Sequence, residues 1–197
     1  MVPSDPPAEE KPLDDRLRGT ELCTSCGLCC TGALHDTAKL DPDEVPAAQA
    51  MGLPVAPTGK PCFSLPCPKL QGTLCGIYGE RPRVCGRYRC GLLQRLEAGE
   101  TAFIDAQSKV AAAYGLIGRL REFMAPGMSL PEARAMALKD AEGLRPSDMP
   151  LRLAATAMVL YIDRNFRNER EGRLVRLEPV GTAREMERDD EAAVQKI

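Results

Sequence analysis

The sequence predicts an α-rich fold, with an irregular, cysteine-rich metal-binding N-terminal half packed on a C-terminal helical bundle. Two observations predict it. All nine cysteines lie between Cys23 and Cys90, in a stretch rich in glycine and proline. After Cys90 there are none, and apolar residues recur at three- and four-residue steps, the spacing of a helix face.

Residues 1–18 are acidic and proline-rich and predict a mobile tail. They lack the cationic start and apolar run of a secretory signal, so a cytoplasmic location is expected. Residues 19–96 are expected to be a cysteine-cluster metal-binding domain, 97–170 a helical region and 171–197 a charged C-terminal extension. The 44% hydrophobic content suffices for an ordinary core, and the absence of long apolar runs excludes a helical membrane span. A net charge of −2 argues against a nucleic-acid partner.

Between the first cysteines and the next, Leu40-Asp41-Pro42-Asp43-Glu44 predicts a short helix, with Asp41 as cap, Pro42 at its first position and Glu44 at its third. Gly72 and Gly76 bracket Thr73-Leu74-Cys75, which predicts a small hairpin presenting Cys75, Ile77 and Tyr78. Gly91 to Ala98 reads as a helix stopped by Gly99. A longer helix begins near Thr101, with Phe103, Ala106, Val110, Tyr114, Ile117, Leu120 and Met124 on one face, and ends at Pro126-Gly127. Ser129-Leu-Pro-Glu132 is a capping box for a helix expected to continue to Glu142 and stop at Gly143. A last helix follows Ser147-Asp148, its stripe being Leu151, Ala155, Met158, Ile162 and Phe166, and ends around Asn168. Residues 173–180 read as a short extended piece and 182–197 as a frayed, charged end.

Dense thiols serve as disulfides, metal ligands or redox groups. In a reducing cytoplasm metal leads, and an odd cysteine count fits complete disulfide pairing poorly. Soft thiolates suit zinc, copper(I) and iron–sulfur centres, each needing about four ligands. Cys23, Cys26 and Cys29 form a C-x2-C-x2-C triplet, able to supply three ligands from one loop. Cys67-Pro68 is a natural remote ligand. Adjacent side chains diverge, so Cys29 and Cys30 do not easily reach one small ion. Either Cys30 belongs to a neighbouring centre, or it is a small buried apolar residue. A thioredoxin-like reaction at Cys23 and Cys26 would need a strand before Cys23, and none is predicted.

Cys23-x2-Cys26-x2-Cys29-Cys30, then Cys67-Pro68-x-Leu70, then Cys75-x-Ile77-Tyr78-x2-Arg81-Pro82-x2-Cys85-x2-Tyr88-x-Cys90, resembles the YkgJ-type cysteine-cluster family, named for zinc or iron chelation. The likeness covers about the first half of the chain and uses eight of its nine cysteines in order. It implies metal ligation by Cys23, Cys26, Cys29, Cys30, Cys67, Cys75, Cys85 and Cys90. Cys62 is extra to the pattern, a spare or substitute ligand, and Gly86 stands where the family usually carries arginine. A related domain occurs in flagellin lysine N-methylases, but no glycine-rich cofactor loop stands out here.

His35, the only histidine, could be a nitrogen ligand or an acid/base, but its loop context favours an exposed, uninvolved side chain. With no second base to orient it, hydrolase chemistry is not expected. Arg81, Arg83, Arg87, Arg89 and Arg95, with Tyr78 and Tyr88 among them, read as guanidiniums stabilising an anionic thiolate centre rather than as a nucleic-acid surface.

The function expected is thus to hold zinc or an iron–sulfur centre, with [4Fe-4S] favoured by the triplet, in metal handling or sensing, with an unidentified protein partner. The alternatives are a cluster-dependent group-transfer enzyme and a zinc-stabilised adaptor for protein or nucleic acid.

Overall fold

A computed structural model of the chain describes residues 13–139, 145–168 and 171. Among these residues the fold is mainly helical, as the sequence predicts, with two small two-stranded sheets.

Helix α1, Leu13–Cys26, starts inside the segment that composition assigned to a tail. Its last turn is reinforced by hydroxyls bonding back to the helix, Thr24 to the Thr20 carbonyl at 2.9 Å and Ser25 to that of Glu21 at 2.8 Å. Gly27, at φ 64°, ends it, and a 3₁₀ turn over Leu28–Cys30 follows.

Strand β1, Thr37–Lys39, pairs antiparallel with β2, Cys62–Ser64, so that Ala38 faces Phe63 and Lys39 faces Cys62. Between them, Pro42–Glu44 forms the expected proline-led turn. Glu44 reaches back to accept the Asp41 N–H at 3.0 Å, and helix α2, Val45–Ala50, continues from it. These pieces enclose a small core of Leu40, Ala48, Leu53, Phe63 and Leu65. The predicted hairpin is present as β3, Leu70–Gln71, and β4, Leu74–Cys75. Helix α3, Arg83–Arg87, is then anchored to the Pro42 turn, its Arg83 N–H donating to Glu44 Oε1 at 2.7 Å.

Helices α4, Gly91–Glu97, α5, Phe103–Arg121, α6, Leu130–Met136, and α7, Met149–Asn165, follow the predicted order. Every residue of the predicted α7 stripe is buried, and Ala106, Ile117 and Leu120 anchor that of α5. Helix α6 is shorter than expected; its predicted end near Glu142 and Gly143 lies outside the described residues, as do the features expected over 173–197.

The larger core joins early and late parts of the described residues. Leu22 of α1 and Leu28, Ala33 and Leu34 of the following loop pack with Leu92, Ile117, Met158, Ile162 and Phe166. Helix α1 lies against α4 and α5, while α7 lies against α5 and α6. The seat of α6 depends on its cap: Ser129 accepts the Glu132 N–H at 3.4 Å, and Glu132 Oε2 accepts the Ser129 N–H at 2.7 Å. Ser129→Ala is expected to lower stability by about 1 kcal/mol, read from the urea midpoint at unchanged slope.

Candidate metal centre

Cys23 and Cys26 stand three residues apart on α1 and so share one face of it. Cys29 comes three residues later, in the 3₁₀ turn, beside Cys30. Cys67 opens the hairpin: its N–H donates to the Cys30 carbonyl at 2.8 Å, and its carbonyl accepts the Leu70 N–H at 3.1 Å. Cys75 pairs with Leu70 across that hairpin. Cys85 lies on α3, and Cys90 caps α4, its Sγ accepting the Leu93 N–H at 3.4 Å.

The local sequence explains why these pieces come together. Gly27 lets the chain turn out of α1 with the hairpin pressed against it: a Cβ there would lie 2.7 Å from the Thr73 carbonyl oxygen. Gly27→Ala therefore imposes both left-handed strain and a backbone clash. An expected loss of about 2 kcal/mol follows from these two costs and is checked by denaturant melts of the metal-loaded protein.

Cys23, Cys26, Cys29, Cys30, Cys67, Cys75, Cys85 and Cys90 all line one cavity of about 590 Å³. Cys62 does not; it sits in β2 opposite Lys39. None of the nine cysteines is in a disulfide. Among the described residues no three His, Cys, Asp or Glu side chains close up into a group of ion-holding geometry, so the thiols surround the cavity rather than meeting at one point.

Burial governs their ionisation. It pushes the Cys26 and Cys30 thiols up to about 12 and Cys85 up to about 11, and raises Cys29, Cys67 and Cys90 as well. Backbone N–H groups at Cys26, Cys67 and Cys90 oppose that rise, and neighbouring cysteines, whose charges repel one another, add to it. At neutral pH these groups are therefore protonated thiols, and a bound cation would have to displace the protons and supply the positive charge that burial withholds.

Two features fit the site to a thiolate-bound metal. The donor set is all sulfur apart from His35 and Glu171 at its edge. Backbone N–H groups also point at the sulfurs: those of Leu28 at Cys26, Lys69 and Leu70 at Cys67, and Leu92 and Leu93 at Cys90, each favouring the charged form.

His35 differs from the exposed side chain expected of it. It lines the cavity with its ring edge-on to Tyr88 at 4.9 Å, and its buried Nε2 has no hydrogen-bond partner. Glu171 Oε1 is 3.6 Å away, a charge contact beyond bonding distance, because that oxygen accepts the Tyr88 hydroxyl at 2.8 Å. Burial lowers the His35 pKa against the opposing pull of Glu171. Glu171 was missed in the sequence, where it is one charge among many near the end of a helix.

The arginines also depart from expectation. Arg83 pairs with Asp41 at 3.0 Å and Asp43 at 2.5 Å, Arg89 bonds the Gly86 and Tyr88 carbonyls, and Arg95 bonds the Asn165 carbonyl. Arg83 and Arg95 thus tie distant chain segments together, and Arg89 braces its own turn. Arg81 alone of the group lines the cavity, stacked over Tyr78 at 3.8 Å and favouring the thiolate of Cys85.

A family model described as "CxxCxxCC: Putative zinc- or iron-chelating domain" matches residues 22–107. The match runs from the end of α1 into α5 and contains every cysteine. No curated protein and no solved structure matches the chain.

Proposed function

We propose, from the match of residues 22–107 to the zinc- or iron-chelating family model, that the chain holds zinc or iron through Cys23, Cys26, Cys29, Cys30, Cys67, Cys75, Cys85 and Cys90, in metal handling or sensing. The observation that carries this reading is the single cavity lined by those eight thiols and not by the ninth. When bound, the metal supplies a cross-link among segments that have little core of their own, and a soft, electron-accepting centre. The protein's part is to bury the sulfurs, aim backbone N–H groups at them and keep the donors uniform.

Between metals, the triplet favours [4Fe-4S]. Cys23, Cys26 and Cys29 come from consecutive turns of one continuous segment, the way cluster proteins supply three ligands at once. The handling or sensing role is supported by the cavity rim, where Leu74 is 60% exposed and Tyr78 40% exposed, so the centre lies near solvent. Such a location is consistent with the cytoplasm, where thiols stay reduced. Among the described residues no helix is long and apolar enough to cross a membrane.

Anaerobic purification followed by elemental analysis and visible spectroscopy tests this reading. Stoichiometric iron with acid-labile sulfide and a brown colour is the expected outcome. Stoichiometric zinc in a colourless preparation would keep the metal site and remove the cluster. Protein that binds neither metal after reconstitution would overturn the function.

A further inference from the structure

Eight thiols around one cavity could serve a single centre with spare ligands or two complete ones. Resting on the metal-binding reading above, we propose that they form two separate four-thiolate centres that meet at the Cys29-Cys30 doublet: Cys23, Cys26, Cys29 and Cys90 in one, and Cys30, Cys67, Cys75 and Cys85 in the other.

The elements divide the thiols in this way. Cys23, Cys26 and Cys29 recur every three residues along α1 and the turn that extends it, and α4, which carries Cys90 at its start, packs against α1. Cys26, Cys29 and Cys90 all pack on the larger core. Cys30 is tied to the other group through its backbone. Its carbonyl receives the Cys67 N–H, the hairpin that Cys67 opens carries Cys75, and Cys67 and Cys85 pack on the smaller core. In a 3₁₀ turn successive side chains point roughly 120° apart, so the doublet directs its sulfurs to different sides.

Each set holds four donors, the number a tetrahedral zinc or a cubane cluster requires. Each also takes ligands from separated parts of the chain, so the first would pin α1 to α4 and the second would pin the doublet to the hairpin and α3.

Metal content of four proteins tests the partition. The wild-type chain, reconstituted anaerobically with zinc, is expected to hold two equivalents, and Cys62→Ala to hold the same two. Cys26→Ala and Cys75→Ala, each in a different set, are each expected to hold half the wild-type content. One equivalent in wild type would overturn the partition while leaving the metal-binding function standing. No equivalent in wild type would overturn both. Because a variant can fail to fold, cobalt(II) titration of wild type gives an independent reading. Thiolate-to-metal charge-transfer absorption rising linearly to two equivalents supports two all-sulfur centres, and saturation at one contradicts them.

Discussion

Chelation of the anaerobically purified, metal-loaded protein is expected to strip hydrogen-exchange protection from residues 28–90 and to lower the thermal midpoint sharply. The smaller core consists of five buried apolar residues, Leu40, Ala48, Leu53, Phe63 and Leu65, and the strands around it are two or three residues long. Packing on that scale stabilises a segment weakly. Structural zinc in small peptides supplies about 10–16 kcal/mol at neutral pH, so its loss is the largest single change available to this region. The helical part should respond less, because α5, α6 and α7 share the larger core. An uneven loss is therefore expected, with amides of α5 and α7 outlasting those of the hairpin and α3. Equal protection before and after chelation would show that the cysteine region folds on its own packing.

Arg167→Met is expected to destabilise the metal-loaded protein by about 3–5 kcal/mol, the range seen when a buried ion pair loses one partner. Arg167 Nε donates to Asp163 Oδ1 at 2.7 Å, and the two side chains are 7% and 3% exposed. The same guanidinium donates to the Leu34 carbonyl at 2.5 Å and so fastens the end of α7 to the loop that follows the cysteine doublet. Methionine preserves much of the stem packing, so the loss reports the charge and the two hydrogen bonds. The buried Asp163 carboxylate would lose the guanidinium bonded to it at 2.7 Å. Chemical denaturation monitored by circular dichroism measures the change. A loss below about 1 kcal/mol would assign Arg167 the weak role of an exposed pair.

The parts of this fold that were legible in the sequence are those specified by short-range chemistry. The Asp41-Pro42-Glu44 turn, the Ser129 and Glu132 capping box, the Gly99 stop and the α7 stripe each need only a few neighbouring residues to state their geometry. Pairing of β1 with β2 was not legible. Thr37–Lys39 and Cys62–Ser64 are too short to show alternation, and what joins them is the burial of Phe63 in a core assembled from distant residues. Helix α1 was hidden because Gly19, Thr20 and Thr24 interrupt any apolar stripe, and its stability comes from packing Leu22 against α4 and α5. Helix α3 has five residues, fewer than periodicity can reveal.

Cysteine spacing likewise identified the triplet but not which thiols share a neighbourhood. That depends on how the hairpin docks on Gly27 and how α4 packs on α1, both long-range events. Apart from Arg81, the arginine run was misread for a related reason. Its charge invited pairing with an anionic centre, whereas Arg83 found carboxylates presented by a turn forty residues earlier and Arg95 found the end of α7.

X-ray absorption at the edge of the bound metal measures the central claim most directly, because it counts the sulfur atoms around each ion without reference to activity. The account predicts a coordination shell made only of sulfur, at about 2.3 Å for zinc. A shell dominated by nitrogen and oxygen, in protein carrying its full complement of metal, would contradict it.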